Sequence, residues 1–198
     1  MAQFDYSPAY RNLTDAISRD LLFVVVAAAA CYGLNEWYRA TGSLVSLIAG
    51  SLITFLLGFV FCYLSHEWGH YIGARLAGAN IPLGSGNGAF LGLFDPDRYS
   101  RRQFMWMGVG GDIGYLIPAP VLIAVFWDWP PLQGLAVAGA AFIVQSLSVD
   151  VPVLWKIHKG ADINAPLAEG TAGPVIRRKT AISWGALAVG IVIFALLV

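Results

Sequence analysis

The sequence predicts an all-α membrane protein of about five transmembrane helices, with a short β-hairpin after the second. Three observations carry this. Of 198 residues, 58% are hydrophobic and only 12% charged, with a mean hydropathy of +0.66, too apolar for a soluble domain of this length. The apolar residues fall into long runs separated by short polar connections. Lys and Arg concentrate in alternate connections, as positive-inside topology requires. Residues 1–198 read as one multi-pass domain embedded in a lipid bilayer. A net charge of zero with no basic tract excludes nucleic acid as a partner.

Residues 1–20 are polar, and Leu21 to Leu34 is then uninterrupted by charge and ends in Asn35-Glu36-Trp37-Tyr38-Arg39. The pattern predicts a first flanking helix at about 20–38 with an interfacial aromatic end. A signal-peptide core with Ala28-Ala29-Ala30 as cleavage site is the competing reading; Asp20 and the long polar lead weigh against it. Gly42 and Ser43 break the chain, and Leu44 to Leu64 again carries no charge. At about 1.5 Å per residue this run crosses the hydrocarbon. His66-Glu67-Trp68-Gly69-His70 follows without a breaker, so one helix is expected over about 44–77. Its Gly50, Gly58, Gly69 and Gly73 admit close neighbours.

From Gly78 to Ser100 the apolar run fails. Ile81-Pro82-Leu83 and Ala89-Phe90-Leu91 flank Gly84-Ser85-Gly86-Asn87-Gly88, the pattern of a short hairpin, or else of an irregular loop. A strand edge here could hold an extended segment by strand addition. Phe104 to Trp127 is a third span with a small-residue face at Gly110 and Gly114 and a kink expected at Pro118 and Pro120. Asp128-Trp129-Pro130-Pro131 is a turn. Leu132 to Ile157 is a fourth span, interrupted by Asp150 and Pro152. Lys159 to Lys179 is polar, and Thr180 to Val198 forms a fifth span, the second flanking helix at about 180–198.

With the N-terminus inside, the inner side receives Arg11, Arg19, Arg75, Arg98, Arg101, Arg102, Lys156, Lys159, Arg177, Arg178 and Lys179, and the outer side only Arg39. The expected topology is N-terminus cytoplasmic, C-terminus outside. Helix parity then brings His66, His70, Asp112 and Asp150 to the inner half of the bilayer.

The chemistry lies in His66-Glu67-Trp68-Gly69-His70. Residues i and i+4 share a helix face, so His66 and His70 can grip one metal ion with Glu67 beside it, the His-Glu-x-x-His spacing of zinc hydrolases. The chain has three His, and the arrangement arises by chance on the order of one time in a thousand. The bland alternative is a hydrogen-bonded histidine pair in a helix bundle. Catalytic zinc takes three protein ligands and a water, so a third ligand is needed. Glu67 is placed to deprotonate that water and to pass the proton to the leaving amine.

On these residues the chain resembles the site-2 protease family of intramembrane zinc metalloproteases. His66-Glu67-Trp68-Gly69-His70-Tyr71-Ile72-Gly73-Ala74 fits the family's His-Glu-x-x-His-x-x-x-Ala on a transmembrane helix, followed by a glycine-bearing helix and a helix with a late aspartate. The likeness covers about 44–157. It implies Zn²⁺ as cofactor, His66, His70 and Asp150 as metal ligands, Glu67 as catalytic base, and a membrane protein or peptide as substrate. Where the family has Asn and Pro before its aspartate and Gly after it, this chain has Gln145-Ser146-Leu147-Ser148-Val149-Asp150-Val151. Its middle helix carries Gly110-Gly111-Asp112 in place of the family's Gly-Pro and nearby Asn, so Asp112 stands as a second candidate ligand.

His158 is expected to be solvated, Asp95 and Asp97 to form a turn, and Cys31 and Cys62 to pack as small hydrophobes. Trp106, Trp127, Trp129, Trp155 and Trp184 are expected as interface anchors. The expected function is an intramembrane zinc endopeptidase. Its competitors are an inactive relative that binds membrane segments as a chaperone or scaffold, a metal transporter, and a zinc protease of another kind ligated by Glu169.

Overall fold

The computed structural model describes residues 13–81, 95 and 97–165, with scattered positions between 173 and 189. Five helices follow in order: α1 (Leu13–Thr41), α2 (Leu44–Leu76), α3 (Arg101–Leu116), α4 (Pro118–Phe126) and α5 (Gln133–His158). No strand occurs among the described residues. The expected hairpin, most of the fifth span and Glu169 lie outside them. Four stretches are long and apolar enough to cross a membrane, namely α1, α2, α3 continued by α4, and α5. The chain is thus a multi-pass membrane protein by length and composition.

Local chemistry sets the helix ends. Gly42 adopts φ +54° between α1 and α2, a left-handed conformation that glycine takes without steric cost. Ser43 then caps α2, its Oγ accepting from Ser46 N at 3.1 Å. Ser100 and Gln103 form a reciprocal capping box at the start of α3. The expected kink in the third span is a break at Ile117 with Pro118 at the first position of α4, because proline brings no N–H to the ladder and its ring crowds the preceding turn. The fourth span departs from expectation in the other direction. Helix α5 runs unbroken through Asp150 and Pro152, so one missing backbone bond does not end a helix held on its neighbours.

Helix α2 is the centre of the bundle. It packs antiparallel to α3 along a seam of glycines: a Cβ built on Gly69 would overlap Gly110 O, and one on Gly73 would overlap Trp106 O. In turn a Cβ on Gly110 would strike Gly69 O, and one on Gly114 would strike Ser65 O. The small-residue faces expected at Gly69, Gly73, Gly110 and Gly114 are therefore one interface, at which two backbones meet directly. Helix α5 runs parallel to α2, with Gly134 against Ser51 and Thr54, and Leu135 and Ala138 against Gly58. The turn between α4 and α5 is fastened where Thr54 Oγ1 donates to Pro131 O at 2.9 Å.

Two buried clusters lie where α2, α3, α4 and α5 meet. One joins Tyr71, Ala74, Phe104, Met107, Leu154 and Ile157; the other joins Cys62, Tyr115, Ala119 and Phe142. The histidine pair falls between them. Helix α1 is peripheral, with Ala16 its one buried residue and Leu21, Leu22, Val25 and Val26 all exposed, a surface for lipid. A hydrogen bond ties its polar end to α2, Trp68 Nε1 donating to Asp20 Oδ2 at 2.8 Å. Beyond α2, Tyr99 Oη donates to Asn80 O at 2.7 Å, which joins the two flanks of the 82–94 stretch.

Candidate metal centre

His66, Glu67 and His70 are buried on α2, at 8%, 6% and 4% exposure. Successive turns bring the two imidazoles edge to face, with ring centroids 4.2 Å apart. Each ring is oriented from α3. His66 Nδ1 lies 3.0 Å from Gly111 O, and His70 Nδ1 lies 2.8 Å from Met107 O. A carbonyl oxygen only accepts, so both Nδ1 atoms carry the proton and donate it. That leaves both Nε2 atoms as lone-pair bearers, and these converge to 3.0 Å.

Two lone pairs facing each other at that distance repel unless a proton or a cation stands between them. The geometry suits a metal. Two nitrogens each about 2.0–2.1 Å from a tetrahedral zinc are separated by about 3.3 Å, close to the spacing found. Ligating histidines also donate their other ring nitrogen to a carbonyl or carboxylate, which fixes the tautomer.

Gly111 is built into this arrangement twice. Its carbonyl holds His66, and its missing side chain makes room for His70, whose ring a Cβ at this position would overlap. Around His66 the rings of Tyr115 and Phe142 stand at centroid distances of 5.6 and 5.8 Å. They wall the pair with aromatic surface.

The structure brings Asp150 to the pair. Its Oδ2 lies 3.9 Å from His66 Nε2, so α2 and α5 supply donors at one depth, as helix parity predicts. Among the described residues no three His, Cys, Asp or Glu side chains stand close enough together to hold a metal ion as placed. Asp112, the other candidate, lies within electrostatic range of Asp150 and of the Tyr115 hydroxyl.

Glu67 points from the next position round α2, with the Tyr63 hydroxyl one turn earlier in hydrogen-bond reach. On its other side Trp68 is held by Asp20, which also pairs with Arg19 Nε at 2.6 Å. His158 is exposed at the end of α5, 6.0 Å from the Trp155 ring. Asp97 N donates to Asp95 Oδ1 at 3.0 Å, the expected turn. Cys31 and Cys62 are free thiols, and Cys62 is buried. The five tryptophans named as anchors are all exposed.

Several partners have no signal in the sequence. The carbonyls of Met107 and Gly111 act through backbone atoms that every residue possesses. Tyr115 and Phe142 read as ordinary core aromatics until their rings are seen against His66. The crowding of glycines at 108–114 is the one cue that α3 approaches the motif closely. Comparison with protein-family models, curated proteins and solved structures gave no match.

Proposed function

We propose that this chain is an intramembrane zinc endopeptidase that hydrolyses a peptide bond in or beside a transmembrane segment of a membrane protein. The observation that supports it best is the converging Nε2 pair of His66 and His70, each imidazole oriented by a backbone carbonyl, with the Asp150 carboxylate adjacent. A buried pair held only for packing has no need of two lone pairs aimed at one point.

In this reading His66, His70 and Asp150 hold Zn²⁺. The ion would polarise the scissile carbonyl and lower the pKa of the attacking water to about 7. Glu67 takes the proton from that water and delivers it to the leaving amine nitrogen. The Met107 and Gly111 carbonyls keep both histidines in the ligating tautomer. Tyr115 and Phe142 exclude bulk water from the His66 side, which strengthens every charge interaction within. The charge asymmetry of the connections orients the chain with its N-terminus in the cytoplasm and its C-terminus outside.

The decisive experiment is metal analysis and cleavage of a reporter transmembrane substrate by the purified chain and its Glu67→Gln variant. Zinc in both and turnover only in the former is the expected result. Retained turnover in the variant refutes the assignment of Glu67, and a variant and parent alike without turnover favour a protein that only binds membrane segments.

A further inference from the structure

Tyr115 is wholly buried at 0% exposure, yet its hydroxyl completes no hydrogen bond, and neither does the buried Oδ1 of Asp112 one turn earlier. Buried polar atoms are almost always satisfied, so such a pair in one place calls for a reason. Residues i and i+3 lie on one helix face, and the phenol is within electrostatic reach of both Asp112 and Asp150. The ring has little freedom. It is set at 5.6 Å against His66 and at 5.5 Å against Phe142.

Burial decides what the hydroxyl can do. A side chain with no accessible surface does not touch a peptide substrate, so its action is on its neighbours. Those neighbours are two carboxylates, which as ions only accept hydrogen bonds, and the phenol supplies a donor. One of them, Asp150, stands 3.9 Å from His66 Nε2.

We propose that Tyr115 is a positioning residue: its hydroxyl donates its one proton to the Asp150 carboxylate and holds Asp150 in the orientation that completes a metal site with His66 and His70. The inference rests on the metalloprotease reading above and adds a determinant to it. Helix α3 then orients all three ligands, the histidines through the Met107 and Gly111 carbonyls and the aspartate through Tyr115.

The test is the Zn²⁺ affinity of the full-length chain in lipid nanodiscs, read by competition with a chromophoric chelator, for the parent, Tyr115→Phe, and a variant with para-aminophenylalanine at position 115. The Phe variant is expected to bind Zn²⁺ 10–100-fold more weakly, the usual effect of losing a group that orients a ligand. The amino analogue, which keeps a donor at the ring tip, is expected to recover most of that loss, and a purely structural role for the ring predicts no such rescue. Should the Phe variant not fold, para-methylphenylalanine replaces it, refilling the volume of the hydroxyl without a donor. A parent that binds Zn²⁺ together with a donorless variant of equal affinity overturns the role of Tyr115. A parent that binds no Zn²⁺ overturns the metal site itself.

Discussion

His66 Nε2 and His70 Nε2 face each other at 3.0 Å, each ring turned to that position by an Nδ1–H bond to a carbonyl of α3. The relationship depends on backbone proximity, since Met107 O and Gly111 O reach the imidazoles only because α2 and α3 touch through glycine. The seam at Gly69, Gly73, Gly110 and Gly114 is in this sense part of the site. Helix α2 carries the imidazoles, and α3 determines which nitrogen each one presents.

Gly111→Ala tests that dependence. The added methyl would overlap the His70 ring, so either the imidazole swings away from His66 or the helices part. Overpacking of this kind costs about 1–3 kcal/mol. Lower thermal stability and loss of bound zinc are expected together, measured by unfolding in detergent and by metal analysis. An Ala variant with normal stability and full zinc would show that the seam tolerates a side chain here.

Glu67→Gln keeps the size of the side chain and removes its basicity. Zinc content should be unchanged, because Glu67 is not among the proposed ligands, while turnover should fall by about 10²–10⁴-fold, the contribution of a positioned acid–base group. Single-turnover cleavage of a reporter transmembrane substrate measures this. A variant of wild-type rate would leave another group to activate the water.

Topology is checked independently of chemistry. With the charge distribution described above, a reporter inserted near Gly170 should lie inside and one fused after Val198 outside. Accessibility to a membrane-impermeant label reads both. Finding the two on the same side would remove the fifth span.

The attachment of α1 rests on little buried surface, which makes the Trp68 to Asp20 bond at 2.8 Å disproportionately important. Asp20→Ala leaves the indole N–H without that acceptor, at a cost of about 1 kcal/mol. The expected consequence is looser docking of α1, seen as slower disulfide cross-linking between cysteines placed at Ala16 and on the facing surface of α2. Unchanged cross-linking would mean that packing alone holds the helix.

What the sequence made legible divides along physical lines. Helix α2 was readable almost to the residue, because an uncharged run and a Gly42-Ser43 break are local signals. The third and fourth spans were recognisable as spans, but Pro118 and Pro152 looked alike on paper. One separates α3 from α4 and the other lies inside an unbroken α5, since the outcome depends on packing with neighbours that sequence does not display. The His-Glu-x-x-His face was legible from spacing alone. Its partners on α3 were not: backbone carbonyls carry no sequence signature, and the burial of Tyr115 beside two aspartates is a property of three helices meeting.

The third ligand is the assignment most open to a direct contest. Parity brings both Asp112 and Asp150 to the depth of the histidines, and the structure distinguishes them by the approach of Asp150 Oδ2 to 3.9 Å from His66 Nε2. Asp112 lies instead beside Tyr115, three residues along its own helix, and reaches the site through its electrostatic contact with Asp150. Removing a ligand from a three-ligand site leaves zinc with two imidazoles, whereas removing a neighbour of the ligand leaves the donor set intact. Asp150→Ala should therefore lose most of its zinc on dialysis against a mild chelator. Asp112→Ala should retain zinc through the same treatment and cleave at a rate reduced at most moderately. The reverse ranking, with zinc lost from Asp112→Ala and kept by Asp150→Ala, would move the ligand from α5 to α3 and leave the 3.9 Å approach of Asp150 as a contact of unliganded groups.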